Sequence, residues 1–205
     1  MRIGIIGTGN VGSALAKGFI KGRHEVRMGS RHPDKAKIPA GLTVSEPLVI
    51  VKWSELVALA VPYSAKEEVI RSVGSETFND KILLDVTNAI TPGFDLAIGF
   101  STSGAEEIAK LVPKAKVVKA FNTVFAPNQS VGSVGGQKLT LFVASDDRIS
   151  KDTVMRLGEE IGFESVDAGP LKAARYLEPM AVELMKLAFD NKMGVSIGYR
   201  LVRGK

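Results

Sequence analysis

The stretch that decides the fold is MRIGIIGTGNVG, residues 1–12. An apolar run at residues 3–6 leads directly into a G-x-G-x-x-G pattern at residues 7–12, and an amphipathic segment follows. A buried strand, a glycine-rich turn and a helix in this order are typical of a dinucleotide-binding βα unit. In such a unit Gly7 permits the tight turn, Gly9 lets a pyrophosphate approach the backbone, and Gly12 allows close packing of helix on strand. The free N–H groups at the helix start would then attract the anion.

The rest of the chain alternates short apolar runs with amphipathic segments, which predicts an α/β fold with a Rossmann-type, mostly parallel sheet flanked by helices. We expect one NAD(P)-binding domain over residues 1–205, with a core at about 1–144 and a small C-terminal helical cap at about 145–205. The segment at 42–51 is open, because residues 48–51 fit either a strand or a short buried helix. Strands are predicted at 3–6, 25–28, 56–61, 81–86, 116–121, 139–144 and 164–166, with helices at 10–21, 65–73, 103–112, 150–161 and 171–191, the last interrupted near Pro179.

Composition narrows the class of protein. The 205 residues include no cysteine and two histidines, so thiolate chemistry is excluded and a histidine-based metal site is disfavoured. The 27 basic and 22 acidic residues give a net charge of +5, but the basic residues are interspersed with acids and no basic–aromatic platform appears, so we expect no nucleic-acid partner. No apolar run reaches the roughly 20 residues of a membrane span, and residues 1–7 lack a signal-peptide pattern. We expect a cytoplasmic protein without a membrane partner.

The end of the second predicted strand indicates which dinucleotide is used. NAD-specific proteins place an acidic residue there for the ribose 2′-hydroxyl, whereas this chain reads Met-Gly-Ser-Arg at residues 28–31. Ser30, Arg31 and Lys35 offer a hydroxyl and two cations, which suits a 2′-phosphate. The alternative is an ordinary solvated basic loop. The position after the second strand favours the phosphate site, and therefore NADP(H).

The nicotinamide half should lie over the carboxyl ends of later strands. Asn88 and Asn122 stand at two of these ends and are candidates to bind the carboxamide or ribose. Tyr63 follows Val61 and Pro62 at a third end, where it is equally well explained as a packing residue.

No residue in the sequence stands out as a catalytic acid or base. His24 and His32 flank the second strand, at the adenine end. Lys119 with Asn122 resembles the lysine–asparagine pair of enzymes that oxidise hydroxy acids. Alternation along the strand, however, predicts that the Lys119 side chain faces solvent. Hydride exchange between two bound redox cofactors needs little acid–base help, so it tolerates such a site. Four methionines could form a wall for a second ring, although core packing explains them more simply: Met155, Met180, Met185 and Met193.

These motifs resemble the NADPH:8-hydroxy-5-deazaflavin oxidoreductase family, which shares its fold with the cytosolic domains of STEAP metalloreductases. The resemblance covers nearly the whole chain and rests on residues 7–12, 29–31 with 35, 166–171 and 191–194. It implies NADP contacts from Thr8, Gly9, Asn10 and Val11, a 2′-phosphate site at Ser30, Arg31 and Lys35, and nicotinamide neighbours around Pro62, Tyr63 and Asn88. It also implies a homodimer, with the deazaflavin stacked on the nicotinamide beneath the C-terminal cap.

The contacts to the second cofactor are predicted at Asn122, Thr123, Met193 and Gly194. The chain departs from the deazaflavin enzymes at Asn122, where they place a histidine, and here it is more similar to the STEAP branch. A flavin could therefore take the place of the deazaflavin. We expect hydride transfer between NADP(H) and an 8-hydroxy-5-deazaflavin; the alternatives are an NADPH-dependent flavin or ferric reductase and a non-catalytic NADP sensor.

Overall fold

The computed structural model of the protein describes residues 1–204. Its centre is an eight-stranded sheet in the order β10-β9-β6-β5-β4-β1-β2-β3, parallel except where β9 meets β6. A separate two-stranded hairpin, β7–β8, follows a short helix. The strands are β1 (Arg2–Ile6), β2 (Glu25–Gly29), β3 (Thr43–Ser45), β4 (Leu56–Leu59), β5 (Ile82–Asp85), β6 (Lys116–Lys119), β7 (Ser133–Val134), β8 (Gln137–Lys138), β9 (Thr140–Ala144) and β10 (Glu164–Gly169).

Seven helices accompany the sheet, and the buried residues form two apolar clusters. The first cluster includes residues of α1 and α6, and the second includes residues of α2, α3 and α4, so the helices cover both faces of the sheet. This arrangement confirms the predicted Rossmann-type fold. The helices are α1 (Asn10–Lys21), α2 (Pro47–Trp53), α3 (Lys66–Val73), α4 (Gly104–Leu111), α5 (Ala126–Gln129), α6 (Arg148–Ile161) and α7 (Ala174–Phe189).

The open segment contains one strand and one helix. Residues 43–45 form β3, and Pro47 begins α2, so residues 48–51 are helical. Proline at the first turn suits a helix start because its ring fixes φ and its missing N–H would have no helical acceptor there. Ile50 and Val51 then pack into the second apolar cluster, which explains why this run is apolar without alternation.

Two expectations for the C-terminal third are wrong. The expected cap at about 145–205 is smaller, because α6 packs on the sheet through Val154 and Leu157, and β10 pairs with β9 in the sheet itself. The sheet layer therefore extends to residue 169. The predicted interruption at Pro179 is also absent: α7 continues through it from Ala174 to Phe189, although the proline lies in the second turn and cannot donate to the carbonyl of Arg175.

Candidate functional site

The glycine-rich turn joins β1 to α1, and its three glycines meet different surroundings. Gly7 has φ +116°, and a Cβ there would lie 2.1 Å from the carbonyl oxygen of Ala60. A Cβ on Gly12 would lie 2.1 Å from the carbonyl oxygen of Gly7. A Cβ on Gly9 would meet nothing within 4 Å. The protein's own packing thus requires glycine at positions 7 and 12, whereas Gly9 borders open space on which a ligand can lie.

The start of α1 is electrostatically prepared for an anion. Gly9 is the residue before the helix, no side chain caps the first turn, and no acidic residue lies in it. The first N–H groups of a helix have no internal acceptor and carry partial positive charge. Asn10 and Val11 line the adjoining cleft, so this positive end faces a space large enough for a ligand.

A small pocket of about 180 Å³ lies at the end of β2 and is lined in part by Thr8, Ser30, Arg31 and His32. The Ser30 hydroxyl accepts a hydrogen bond from the backbone N–H of His32 at 3.1 Å. His32 thus lines this pocket, although the sequence did not predict it as a binding residue. Lys35, which was predicted, lies in a 3₁₀ turn and does not line the described pocket. We refer to this space as the adenosine pocket, after the part of a dinucleotide that the sequence predicts for the end of β2.

The main cleft, about 570 Å³, lies over the carboxyl ends of β4 and β5 and beside the start of α1. It brings together Val61, Pro62, Tyr63 and Asn88, which the sequence placed at separate strand ends. The segment at residues 90–94 closes its other side. A further cavity adjoins this cleft. The two spaces share five lining residues: Asn10, Val11, Val86, Asn88 and Phe94.

That further cavity, about 390 Å³, is apolar and is called here the aromatic cavity. Phe94 stacks on Phe189 with centroids 5.5 Å apart, and Phe125 packs edge-on against Phe189 at 5.9 Å. No titratable side chain lines it within the described part of the chain. Its full lining is Asn10, Val11, Val86, Asn88, Phe94, Phe121, Asn122, Val124, Phe125, Ala126, Gln129, Ala181, Leu184, Met185 and Phe189.

The residues predicted for the second cofactor are only partly brought to this cavity. Asn122 lines it, but the buried Thr123 does not. Met193 is 59% exposed, and neither it nor Gly194 borders the cavity. Of the four methionines proposed as a wall, Met185 alone lines the cavity. Sequence reasoning missed the aromatic residues because Phe94 lies in a loop and comes near α7 only through the tertiary fold.

Asn88 and Asn122 form a pair between the main cleft and the aromatic cavity. The Asn122 side-chain amide donates to Asn88 Oδ1 at 3.1 Å and to the Leu177 carbonyl at 2.8 Å. The Asn88 amide in turn donates to the Asn122 carbonyl at 3.2 Å. Asn122 Oδ1 is buried without a hydrogen-bond partner among the described residues, so one polar atom here remains available to a ligand or water.

The expectation that Lys119 faces solvent is wrong. Its side chain is fully buried, with Nζ 2.9 Å from Asp85 Oδ2 and 3.1 Å from Glu178 Oε1. Nζ also donates to the Thr87 carbonyl. Burial alone would lower the pKa of Lys119, but the two carboxylates outweigh it and raise that pKa above its ordinary value. Alternation could not reveal this because β6 is covered on both faces.

Glu178 links these charges to two helices. It belongs to α7, and its carboxylate accepts from the N–H groups of Gly104 and Ala105 at 2.9 and 3.1 Å, at the start of α4. Lys119, Asp85 and Glu178, which we name the buried triad, therefore tie the ends of β5 and β6 to α7 directly behind the Asn88–Asn122 pair.

Tyr63 lies on the wall of the main cleft, and its hydroxyl is buried without a hydrogen-bond partner among the described residues. Burial raises the pKa of Tyr63 to about 12, with smaller contributions from the carboxylates of Glu178, Glu107 and Asp85. Lys66 Nζ lies 3.7 Å from the centroid of the Tyr63 ring, and this cation–π contact stabilises the charged ammonium group of Lys66. The phenol is thus a neutral donor at ordinary pH rather than a base.

Within residues 1–204, no group of three His, Asp or Glu side chains is arranged to hold a metal ion. Over the same range, no helix is both long enough and apolar enough to cross a bilayer.

The fold, the glycine turn and the pocket at the end of β2 define a dinucleotide-binding protein of the Rossmann class. Residues 2–89 match the family model described as NADP oxidoreductase coenzyme F420-dependent, F420 being the 8-hydroxy-5-deazaflavin coenzyme. This match and the similarity to an F420-dependent NADP reductase confirm the resemblance stated from the motifs.

The sequences and structures of individual relatives agree with the match to this family model. The chain is 28% identical to the F420-dependent NADP reductase of Methanothermobacter thermautotrophicus, over 94% of this chain and 91% of that protein. It is 29% identical to metalloreductase STEAP3 of Rattus norvegicus over 90% of this chain, but spans only 37% of that protein's length. A crystal structure of a protein from Arthrobacter sp. FB24, described as a putative F420-dependent NADP reductase, superposes with a TM-score of 0.89 at 25% identity, covering 98% and 99% of the two chains.

Proposed function

We propose that the chain transfers a hydride between NADP(H) in the main cleft and an 8-hydroxy-5-deazaflavin in the aromatic cavity. The observation that carries the proposal is the shared lining of these two spaces at Asn10, Val11, Val86, Asn88 and Phe94. Two flat cofactors bound in adjoining spaces would meet there. The names of the relatives from Methanothermobacter and Arthrobacter support this pairing of cofactors.

The residues present fit NADP(H). The open space at Gly9 and the uncapped start of α1 suit a pyrophosphate. Ser30 and Arg31 would hold the 2′-phosphate in the adenosine pocket, where a guanidinium makes charge-assisted hydrogen bonds with a dianion. Val61, Pro62, Tyr63 and Asn88 would surround the nicotinamide end.

The residues around the aromatic cavity fit a flat second ring. Phe94 and Phe189 present an apolar rim, and Met185 adds a side chain that adapts its shape to a ligand. The reduced nicotinamide supplies a hydride when bound, and the chain's part is to hold both rings in one dry space. The Asn88–Asn122 pair would orient them, because its amide groups are fixed by each other and by the Leu177 carbonyl.

A flavin is the second candidate for the aromatic cavity. Asn122 stands where the deazaflavin enzymes are expected to have histidine, and the relationship to STEAP3 favours this alternative. An NADPH-dependent flavin or ferric reductase would use the same cleft and the same coenzyme. The homodimer that the family resemblance implies is also part of the proposal, and sedimentation of the purified chain tests it.

The test is a comparison of NADPH oxidation with the deazaflavin, FMN and FAD as acceptors at equal concentration. We expect the deazaflavin to be reduced with the highest kcat/KM. Fast reduction of a flavin with an inert deazaflavin would replace the first candidate by the second. Tight NADPH binding without oxidation by any acceptor would overturn both and indicate a sensor.

A further inference from the structure

The predicted phosphate-binding arginine already has an acidic partner. Arg31 follows β2, and its Nη1 donates to Glu68 Oε1 at 2.7 Å. Glu68 belongs to α3, and the adenosine pocket is lined by Arg31 and also by Val69 of that helix. The two charged side chains are 53% and 65% exposed, so their ion pair lies at the rim of the pocket in contact with solvent.

Such a pair competes with a 2′-phosphate for the same guanidinium. A phosphate that binds Arg31 must displace or share the Glu68 carboxylate, and it is also repelled by the negative charge of that carboxylate. An exposed ion pair is weak, so the competition reduces affinity without preventing binding. Unphosphorylated NAD(H) lacks the group that competes and should be insensitive to Glu68.

We propose that Glu68 is a specificity-determining residue: it holds Arg31 in the absence of coenzyme and weakens the binding of NADP(H) while leaving NAD(H) unaffected. This inference rests on the proposed function, because it assumes that Arg31 receives the 2′-phosphate. Its consequence is a coenzyme that dissociates readily, as a carrier must if it is exchanged after each turnover.

The neighbouring residue provides a matched control. Glu67 precedes Glu68 in α3, but its carboxylate pairs with Arg71 of the same helix and not with Arg31. Glu67→Gln therefore removes the same charge from the same helix turn without releasing Arg31. Any general effect of lowering the negative charge near the pocket should appear in both variants.

The experiment measures the dissociation constants of NADPH and NADH by fluorescence titration of the full chain, for wild type, Glu68→Gln and Glu67→Gln. At low ionic strength we expect Glu68→Gln to bind NADPH about fivefold more tightly, the size of effect that an exposed ion pair allows. Its NADH constant and both constants of Glu67→Gln should stay within about twofold of wild type. The gain should shrink in high salt, because salt screens exposed charges.

A double-mutant comparison distinguishes release of Arg31 from a general effect of charge. In an Arg31→Ala background, Glu68→Gln should lose most of its benefit for NADPH, since no guanidinium is left to be released. Unchanged or weaker NADPH binding in Glu68→Gln, equal tightening for NADH, or equal tightening in Glu67→Gln would each overturn the inference. A failure of the proposed 2′-phosphate site looks different, because the wild type itself would then bind NADPH and NADH equally.

Discussion

Replacement of Glu178 by alanine should destabilise the protein strongly. Glu178 is 1% exposed and accepts from Gly104 N–H, Ala105 N–H and Lys119 Nζ. The alanine variant leaves two buried N–H groups without an acceptor and leaves Lys119 with Asp85 as its one carboxylate partner. Breaking a buried ion pair in this way costs about 3–5 kcal/mol.

The magnitude can be checked by two methods. For a chain of about 200 residues each kcal/mol corresponds to roughly 2–4 °C in Tm, so we expect a decrease on the order of 10 °C. Urea unfolding at pH 7 should show the same loss in the free energy of unfolding. Glu178→Gln should cost about half as much, because the amide keeps the size of the side chain and one acceptor oxygen.

The control is Glu183→Ala, an exposed position on the same helix, which should change stability by less than about 0.5 kcal/mol. A Glu178→Ala variant within about 1 kcal/mol of this control would refute the reasoning. It would mean that water or a shifted α4 satisfies the groups of the buried triad, and that α7 is held to the sheet by apolar packing alone.

Three further predictions concern the coenzyme site. Arg31→Ala should raise the dissociation constant for NADPH by at least about tenfold and leave that for NADH within about twofold, since a charge-assisted hydrogen bond to the extra phosphate is lost; equal losses for both coenzymes in calorimetry would contradict the phosphate site. Gly9→Val should abolish coenzyme binding, because the side chain would occupy the space proposed for the pyrophosphate, and should leave Tm unchanged, because its Cβ meets no protein atom. Gly12→Ala should lower Tm instead, because its Cβ would collide with the Gly7 carbonyl. Full coenzyme binding by Gly9→Val would show that the turn does not hold the pyrophosphate. Burial raises the pKa of Tyr63 to about 12, above that of an unfolded tyrosine, so the stabilising effect is present below about pH 10 and is lost as pH rises towards 12. Urea unfolding from pH 8 to 11 should therefore show a steeper alkaline decrease for wild type than for Tyr63→Phe, and parallel curves would contradict the assignment.

The sequence was sufficient for the fold, and two of the three residues predicted for the 2′-phosphate, Ser30 and Arg31, line one pocket at the end of β2. Residues 1–12 carry a local pattern in which glycine spacing and the neighbouring strand and helix fix the geometry together. The end of β2 is likewise close in sequence to that turn, so Ser30 and Arg31 could be proposed as phosphate-binding residues from their position alone. Lys35 was predicted to join them, but it lies in a 3₁₀ turn beginning at Pro33 and does not line the pocket.

The second half of the site could not be predicted in the same way. The aromatic cavity is assembled from the loop after β5, the start of α5 and α7, which are far apart in sequence. Phe121 also adopts φ +63° although it is buried, a conformation that costs energy for a bulky residue and that no sequence pattern announces. It lies between Lys119 and Asn122, whose side chains join different networks. The buried triad was not predicted because the alternation of residues along β6 does not indicate that α7 covers Lys119 and supplies Glu178 as its partner.

The most direct test of the proposed hydride transfer follows the hydride itself. NADPH carrying deuterium at the transferable position is mixed with the oxidised deazaflavin in a single turnover, and the product is analysed by mass spectrometry. A deazaflavin accepts hydride at carbon, so direct transfer between adjoining rings predicts that the reduced deazaflavin retains nearly all of the label. Absence of reduction, or a product whose new hydrogen comes from solvent, would contradict direct exchange between the main cleft and the aromatic cavity.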